Sequence, residues 1–272
     1  MKIALCLTGL LGGLEGRNGS GKTIDPRNGF YWYYKNLLKD NDVDVFFHTW
    51  GNQSEELIKL YSPKKYLFDE QIDFSKIDYE FYGCSDYEEL FRKENTTLFK
   101  SFTDEDEANL KDIIYRSSSK WFSTHKSISL KKEYELENKF KYDFVVVTRF
   151  DIALTKKIDF SLLKKGILYL SERGQEQKTA KNAFNDLIFL GDSRIMDLFS
   201  TIYDLRNNYS VDAISSCYEH ILRKKIKWES IFGYNKNTYI LRWNQHLMRY
   251  YPQPYYFIRH SLREIKRKFL NV

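Results

Sequence analysis

The apolar positions of this chain fall in short blocks between polar stretches, and their spacing predicts strands alternating with helices. Residues 2–8 (KIALCLT) form an apolar run that reads as a buried strand, ended by Gly9. A glycine-rich loop to about Asn28 follows, then a helical stretch over residues 30–38 and a second strand at 42–50 (DVDVFFHTW). Ser54 is placed to cap a helix running to Tyr61, with Glu55 and Glu56 in its first turn. Residues 65–68 make a third strand, and 69–104 carry no readable period. From Thr103 a long helix runs to about 138, capped by that threonine, with Leu110, Ile113, Ile114, Trp121 and Phe122 at helical spacing. Next comes the strongest strand, residues 142–152 (YDFVVVTRFDI). Its FVVV run is apolar on both faces and belongs in the middle of a sheet. Further strands are expected at 166–170 and 186–190, then a helix from a Ser193 cap to Tyr203. This order indicates an α/β fold with a mostly parallel central sheet and flanking helices. With no repeat, low-complexity run or linker, residues 1–272 read as one domain.

Composition narrows the class. Aromatic residues reach 17%, with 21 Tyr and 20 Phe, enough to fill a core and to supply stacking surfaces for bases and sugar rings. Cys6, Cys84 and Cys217 are too few and too widely spaced for a disulfide framework or a zinc site, so a reducing cytoplasm is expected. The apolar start reads as a first strand rather than a signal peptide, because Glu15 and a glycine-rich loop follow it. No stretch has the ~18 apolar residues of a membrane span. The net charge of +6 is uneven: residues 220–272 hold 12 Lys and Arg against two Asp and Glu. Within them, residues 255–272 place Ile258, Leu262, Ile265 and Phe269 on one stripe of a basic amphipathic helix. Such a helix either packs on the domain or rests on an anionic membrane at the inner face. Charge alone, without a binding motif, is a weak case for nucleic acid.

Two motifs carry candidate chemistry. The strand VVVTRFD ends in Arg149 and Asp151, two residues apart and on one face. Ligands of open α/β sheets bind beyond the carboxyl ends of strands. A carboxylate there can hold Mg²⁺ or Mn²⁺ against a diphosphate, and an arginine can meet phosphate bidentately. A structural Arg–Asp pair accounts for the spacing equally well. The second motif, residues 16–23 (GRNGSGKT), fits the GxxxxGK[ST] pattern of a phosphate-cradling P-loop. Its context argues against a P-loop NTPase, since TGLLGGLE separates it from the strand, and Pro26 and Gly29 stand where the helix should run. Arg17, Lys22 and Arg27 can still meet phosphate from that loop.

KIALCLTG at the start, DVFFHTW at 44–50, YDFVVVTRFDI at 142–152 and DLIFLGDSRIMDLFSTIY at 186–203 resemble a family of bacterial polysaccharide and lipopolysaccharide glycosyltransferases with a GT-A-like fold. The resemblance implies transfer of a sugar from a nucleoside-diphosphate donor to a hydroxyl of a surface glycan, in capsule or lipopolysaccharide biosynthesis. It places Asp151 at the metal-binding DxD position, with Mn²⁺ or Mg²⁺ as cofactor, and Arg149 where the first acid would stand. It also implies that Thr8 and Gly9 abut the donor nucleotide, with His48, Thr49 and Trp50 at the second strand end. There His48 can bond a phosphate or ribose and Trp50 can stack on a ring, or both can serve packing. An inverting transferase needs a carboxylate base, for which Asp186 and Glu219 are the candidates. The acceptor would be a glycan or lipid-linked glycan. A P-loop phosphotransferase and a non-catalytic glycan-binding protein on the same scaffold are the alternatives.

Overall fold

A computed structural model describes residues 1–11, 13–15, 20–95, 101–172, 184–233 and 237–248. The chain opens with β1 (Lys2–Thr8), a hairpin of β2 (Gly13–Glu15) and β3 (Ser20–Thr23), and α1 (Pro26–Tyr33). Then come β4 (Asp42–Trp50), α2 (Glu55–Tyr61), β5 (Lys65–Asp69), α3 (Tyr87–Glu94) and the long α4 (Asp104–Glu137). The second half contains β6 (Phe144–Arg149), β7 (Ile152–Leu154), β8 (Ile167–Glu172), β9 (Phe184–Gly191) and α5 (Ser193–Ser200). It continues with α6 (Ala213–Arg223), β10 (Lys227–Gly233) and β11 (Thr238–Ile240).

Seven strands form one sheet in the order β10-β8-β9-β6-β1-β4-β5, mostly parallel as the pattern predicts. Among the described strands of this sheet only β9 is reversed, running antiparallel to β6 and β8. Burial on both faces explains the unbroken apolar runs of β1 and β6. On one face Leu5, Leu7 and Val146 pack with Phe30, Tyr33 and Leu37 beneath α1. On the other, Cys6, Phe46 and Val147 pack with Trp121 of α4, Phe199 of α5 and Cys217 of α6. The two layers of helix meet the sheet through these side chains, which is where most of the hydrophobic driving force lies.

Several local expectations change. The predicted helix starts four residues early, at Pro26, because proline suits the first helical position and the Asp25 side chain caps it by accepting from Arg27 N at 2.9 Å. Gly29, taken as a helix breaker, is needed inside that helix: a Cβ there would lie 2.0 Å from the Phe150 carbonyl oxygen. Its intrinsic cost of about 1 kcal/mol is offset by this close approach. The strand expected over 142–152 breaks after Arg149, at a turn through Phe150 and Asp151. Asp192, not Ser193, caps α5, accepting from Ile195 N at 3.0 Å. The stretch without a period holds α3, capped by Asp86, and two short 3₁₀ turns. No helix among the described residues is long and apolar enough to cross a membrane. The basic stripe at 255–272 lies outside the described residues.

Candidate functional site

Strand connectivity selects one end of the sheet. From β1 the chain moves outward through β4 and β5, then returns to place β6 on the other side of β1. The strand order reverses there, and in such sheets ligands bind at the carboxyl ends beside the reversal. The register sets Thr8 beside both His48 and Arg149, so three of the sequence candidates share one row across three strands. Thr8 is buried and its hydroxyl donates to the Thr148 carbonyl at 3.3 Å. Gly9 turns the chain out of the sheet with φ +81°, a conformation that favours glycine, and a Cβ there would meet nothing within 4 Å.

The histidine in this row is structural. His48 is fully buried, with Nδ1 2.8 Å from Ser123 Oγ and Nε2 3.2 Å from Asp69 Oδ2. Ser123 Oγ also accepts from Gly9 N at 2.7 Å. An ionised carboxylate can only accept, so Nε2 carries the proton and Nδ1 accepts from the serine. Burial lowers the His48 pKa to about 4, against the opposing pull of Asp69, so the ring is neutral. The trio has the residue types of a hydrolytic triad. Ser123, however, is fully buried, and its oxygen is committed to fixing the tip of β1 to α4. Trp50 is likewise packing: it is 6% exposed and stacks on Phe122 at 5.2 Å.

The tip of β6 is different. Arg149 grips Asp151 bidentately, Nε to Oδ1 at 2.8 Å and Nη2 to Oδ2 at 2.6 Å. Arg242 Nη1 donates to the same Oδ2 at 3.3 Å. Asp151 is almost wholly buried, whereas the Arg149 side chain is 24% exposed. The backbone holds this arrangement: Tyr33 Oη donates to the Arg149 carbonyl at 2.5 Å, and Leu241 N donates to the Asp151 carbonyl at 2.9 Å. The antiparallel pairing of β7 with β11 brings Arg242 there, from a residue nearly a hundred positions away. Beside it Trp243 is 56% exposed, its ring centroid 5.1 Å from the Arg242 guanidinium.

This geometry does not fit the divalent cation that the resemblance implies. Both oxygens of Asp151 are taken by guanidinium groups, and two positive charges on one carboxylate oppose a third. Among the described residues no group of three or more His, Cys, Asp or Glu side chains converges on a point that could hold a metal. Of the two readings of the RFD spacing, the ion pair is the one adopted.

The remaining candidates are dispersed. Asp186 pairs with Lys120, whose Nζ also donates to the Asp186 carbonyl at 2.6 Å. Burial would raise the Asp186 pKa, but Lys120 and Arg149 together hold it below the ordinary carboxylate value. A carboxylate so stabilised as an anion is a weak proton acceptor. Glu219 instead closes a loop, accepting from Ser210 N at 2.8 Å and Ser210 Oγ at 2.6 Å. Arg27 is held by Asp25, with Nε 2.8 Å from both of its oxygens. Arg17 lies outside the described residues, while Lys22 falls in β3. With residues 20–23 in a strand, and an acidic cap before α1, the last part of the GKT motif lacks the helix start that a P-loop requires.

Sequence reasoning missed Lys120, Ser123 and Arg242. The first two lie inside a long helix whose polar positions look solvated, and Arg242 is one of many basic residues in the last fifty of the sequence. The chain matches none of the known protein-family models, and a search of curated proteins likewise returns no match.

Proposed function

We propose that this chain is a nucleotide-sugar-dependent glycosyltransferase of the GT-A type, moving a sugar from a nucleoside diphosphate to a hydroxyl of a surface glycan. The observation that carries the proposal is the position of Arg149: a partly exposed guanidinium at the tip of the central strand, where the strand order reverses. The open, mostly parallel sheet with flanking helices is compatible with that reading. Gly9 adds an uncrowded backbone turn at the same end of the sheet, where a nucleotide can approach main chain closely.

In this reading the reaction is helped chiefly by charge. As the bond from the sugar to the diphosphate breaks, negative charge builds on the leaving phosphate oxygens, and a fixed guanidinium stabilises it more than it stabilises the intact donor. Asp151 keeps Arg149 in place for that purpose, acting through the arginine rather than on the substrate. Asp186 sits in the same cluster as the partner of Lys120, so its part is to orient cations rather than to take a proton.

The test is a screen of UDP, GDP, CMP and ADP sugars by thermal shift, followed by an assay for released nucleotide with glycan acceptors. One nucleotide family should raise the melting temperature and be turned over, because a ligand that binds only the native state stabilises it. If no nucleotide sugar does either, the proposal fails. Lys22→Ala should leave turnover intact; its loss would return the P-loop alternative to the front.

A further inference from the structure

We infer that this site binds its diphosphate directly on side-chain cations, with no divalent metal, and that Arg242 is what makes this so. The inference rests on the transferase reading for the identity of the ligand and deepens it by naming how the phosphates are held.

The argument starts from Asp151, the acid to which the sequence pattern would assign a metal. A carboxylate binds Mg²⁺ or Mn²⁺ through an oxygen lone pair that faces the ligand. Here Oδ1 takes the Arg149 Nε hydrogen, and Oδ2 takes hydrogens from both Arg149 and Arg242. The Asp151 side chain is 2% exposed, so what faces solvent at this tip is the arginine and not the acid. Arg149 uses Nε and Nη2 on Asp151, which leaves the Nη1 edge of its planar group for a phosphate oxygen. A second cation at Oδ2 has a definite effect. With Arg149 alone, one lone pair of Oδ2 would remain for a metal; Arg242 covers it and brings its own charge to the place where a metal would sit. Its placement is built into the fold, since Leu241, the residue before it, donates its N–H to the Asp151 carbonyl. Arg242 is thus a positioning residue for Asp151, holding the acid closed to a metal and Arg149 turned to the phosphates.

The experiment is calorimetric titration of the whole protein with UDP, GDP and inorganic pyrophosphate, in EDTA and then in Mn²⁺. The expected result is binding in EDTA with an affinity within about threefold of that in Mn²⁺. Binding that appears only with Mn²⁺ overturns this inference and leaves the transferase reading standing. No binding of any nucleotide or of pyrophosphate in either buffer overturns both. The variant Arg242→Gln, checked for folding by its melting curve, sharpens the result. It should bind pyrophosphate in EDTA about tenfold more weakly, and Mn²⁺ should now strengthen its binding, because an Asp151 oxygen has been uncovered. A variant that binds like the wild type in both buffers would remove Arg242 from the account.

Discussion

The two ends of the central strand β6 carry buried charge clusters built from similar residues to opposite ends. At the amino end, Lys131 and Glu135 of α4 are both fully buried. Lys131 Nζ reaches Asp197 at 2.6 Å, Ser193 Oγ at 2.8 Å and Glu135 at 3.2 Å, while Lys141 donates to Glu135 at 2.8 Å. Glu135 also accepts from Tyr142 N at 2.9 Å and from Ser193 Oγ at 2.6 Å. Two cations meet two anions, and Lys131 and Glu135 are closed off from water. At the carboxyl end, Lys120, Arg149 and Arg242 meet Asp151 and Asp186, with Arg149 partly exposed. The same helix serves both ends. From Ser123 to Glu135 α4 rises about 18 Å, close to the roughly 20 Å span of a six-residue strand such as β6. The difference is one of exposure: the Lys131–Glu135 pair at the amino end is closed off from water, whereas at the carboxyl end the Arg149 guanidinium is partly open to it, and on the transferase reading proposed above that opening is where an anion is received.

The comparison can be broken most forcefully at the closed end. Glu135→Gln should cost about 3–5 kcal/mol of stability in denaturant unfolding, because it removes the buried anion shared by Lys131 and Lys141 and leaves both lysines to Asp197 alone. At the open end, Arg149→Gln should weaken nucleotide binding about 100-fold, equivalent to about 2.7 kcal/mol, on top of the stability lost by leaving buried Asp151 to Arg242 alone. If the folded variant binds nucleotide like the wild type, the two ends are alike and the contrast is lost. An intermediate effect comes from acid. The pKa of buried His48 is lowered to about 4, from the ordinary imidazole value of about 6.5, mainly by burial; Asp69 opposes and Lys126 pushes the same way as burial. The unfolded chain therefore takes up the proton first, and stability present above about pH 6.5 is lost progressively as pH falls towards 4. Unfolding at pH 7 and pH 5 should differ by about 2 kcal/mol from this residue, a difference that His48→Gln should remove. The smallest effect belongs to Trp243→Ala, which should shift stability by less than about 0.5 kcal/mol because the ring is largely exposed.

Much of the fold was legible because its strands are buried on both faces and its helices begin with strong caps. The VVV run of β6 and the Thr103 cap of α4, with its reciprocal bond from Asp106, are local signals that needed no tertiary context. The start of α1 is hidden in the sequence because Pro26 and Gly29 look like breakers; only the contact with Phe150 shows why glycine stands in that helix. The reversal of β9 is invisible in its DLIFL core, because a strand buried on both faces looks the same in either direction. In the candidate site, Arg149 and Asp151 announced themselves by position at a strand end. Their relation to Arg242 did not, as it depends on β11 pairing with β7 across more than eighty residues. His48 looked chemical for the same reason that it is structural: a polar ring at a strand tip needs partners, and Ser123 and Asp69 supply them.

The missing side chain at position 29 constrains any attempt to re-engineer this scaffold. Where α1 lies directly on a main-chain oxygen, no rotamer search can make room for even a methyl group, since the obstacle is backbone on both sides. A library that randomises this helix to alter specificity should leave that one codon untouched and vary exposed Lys35, in the helical turn that follows α1, instead.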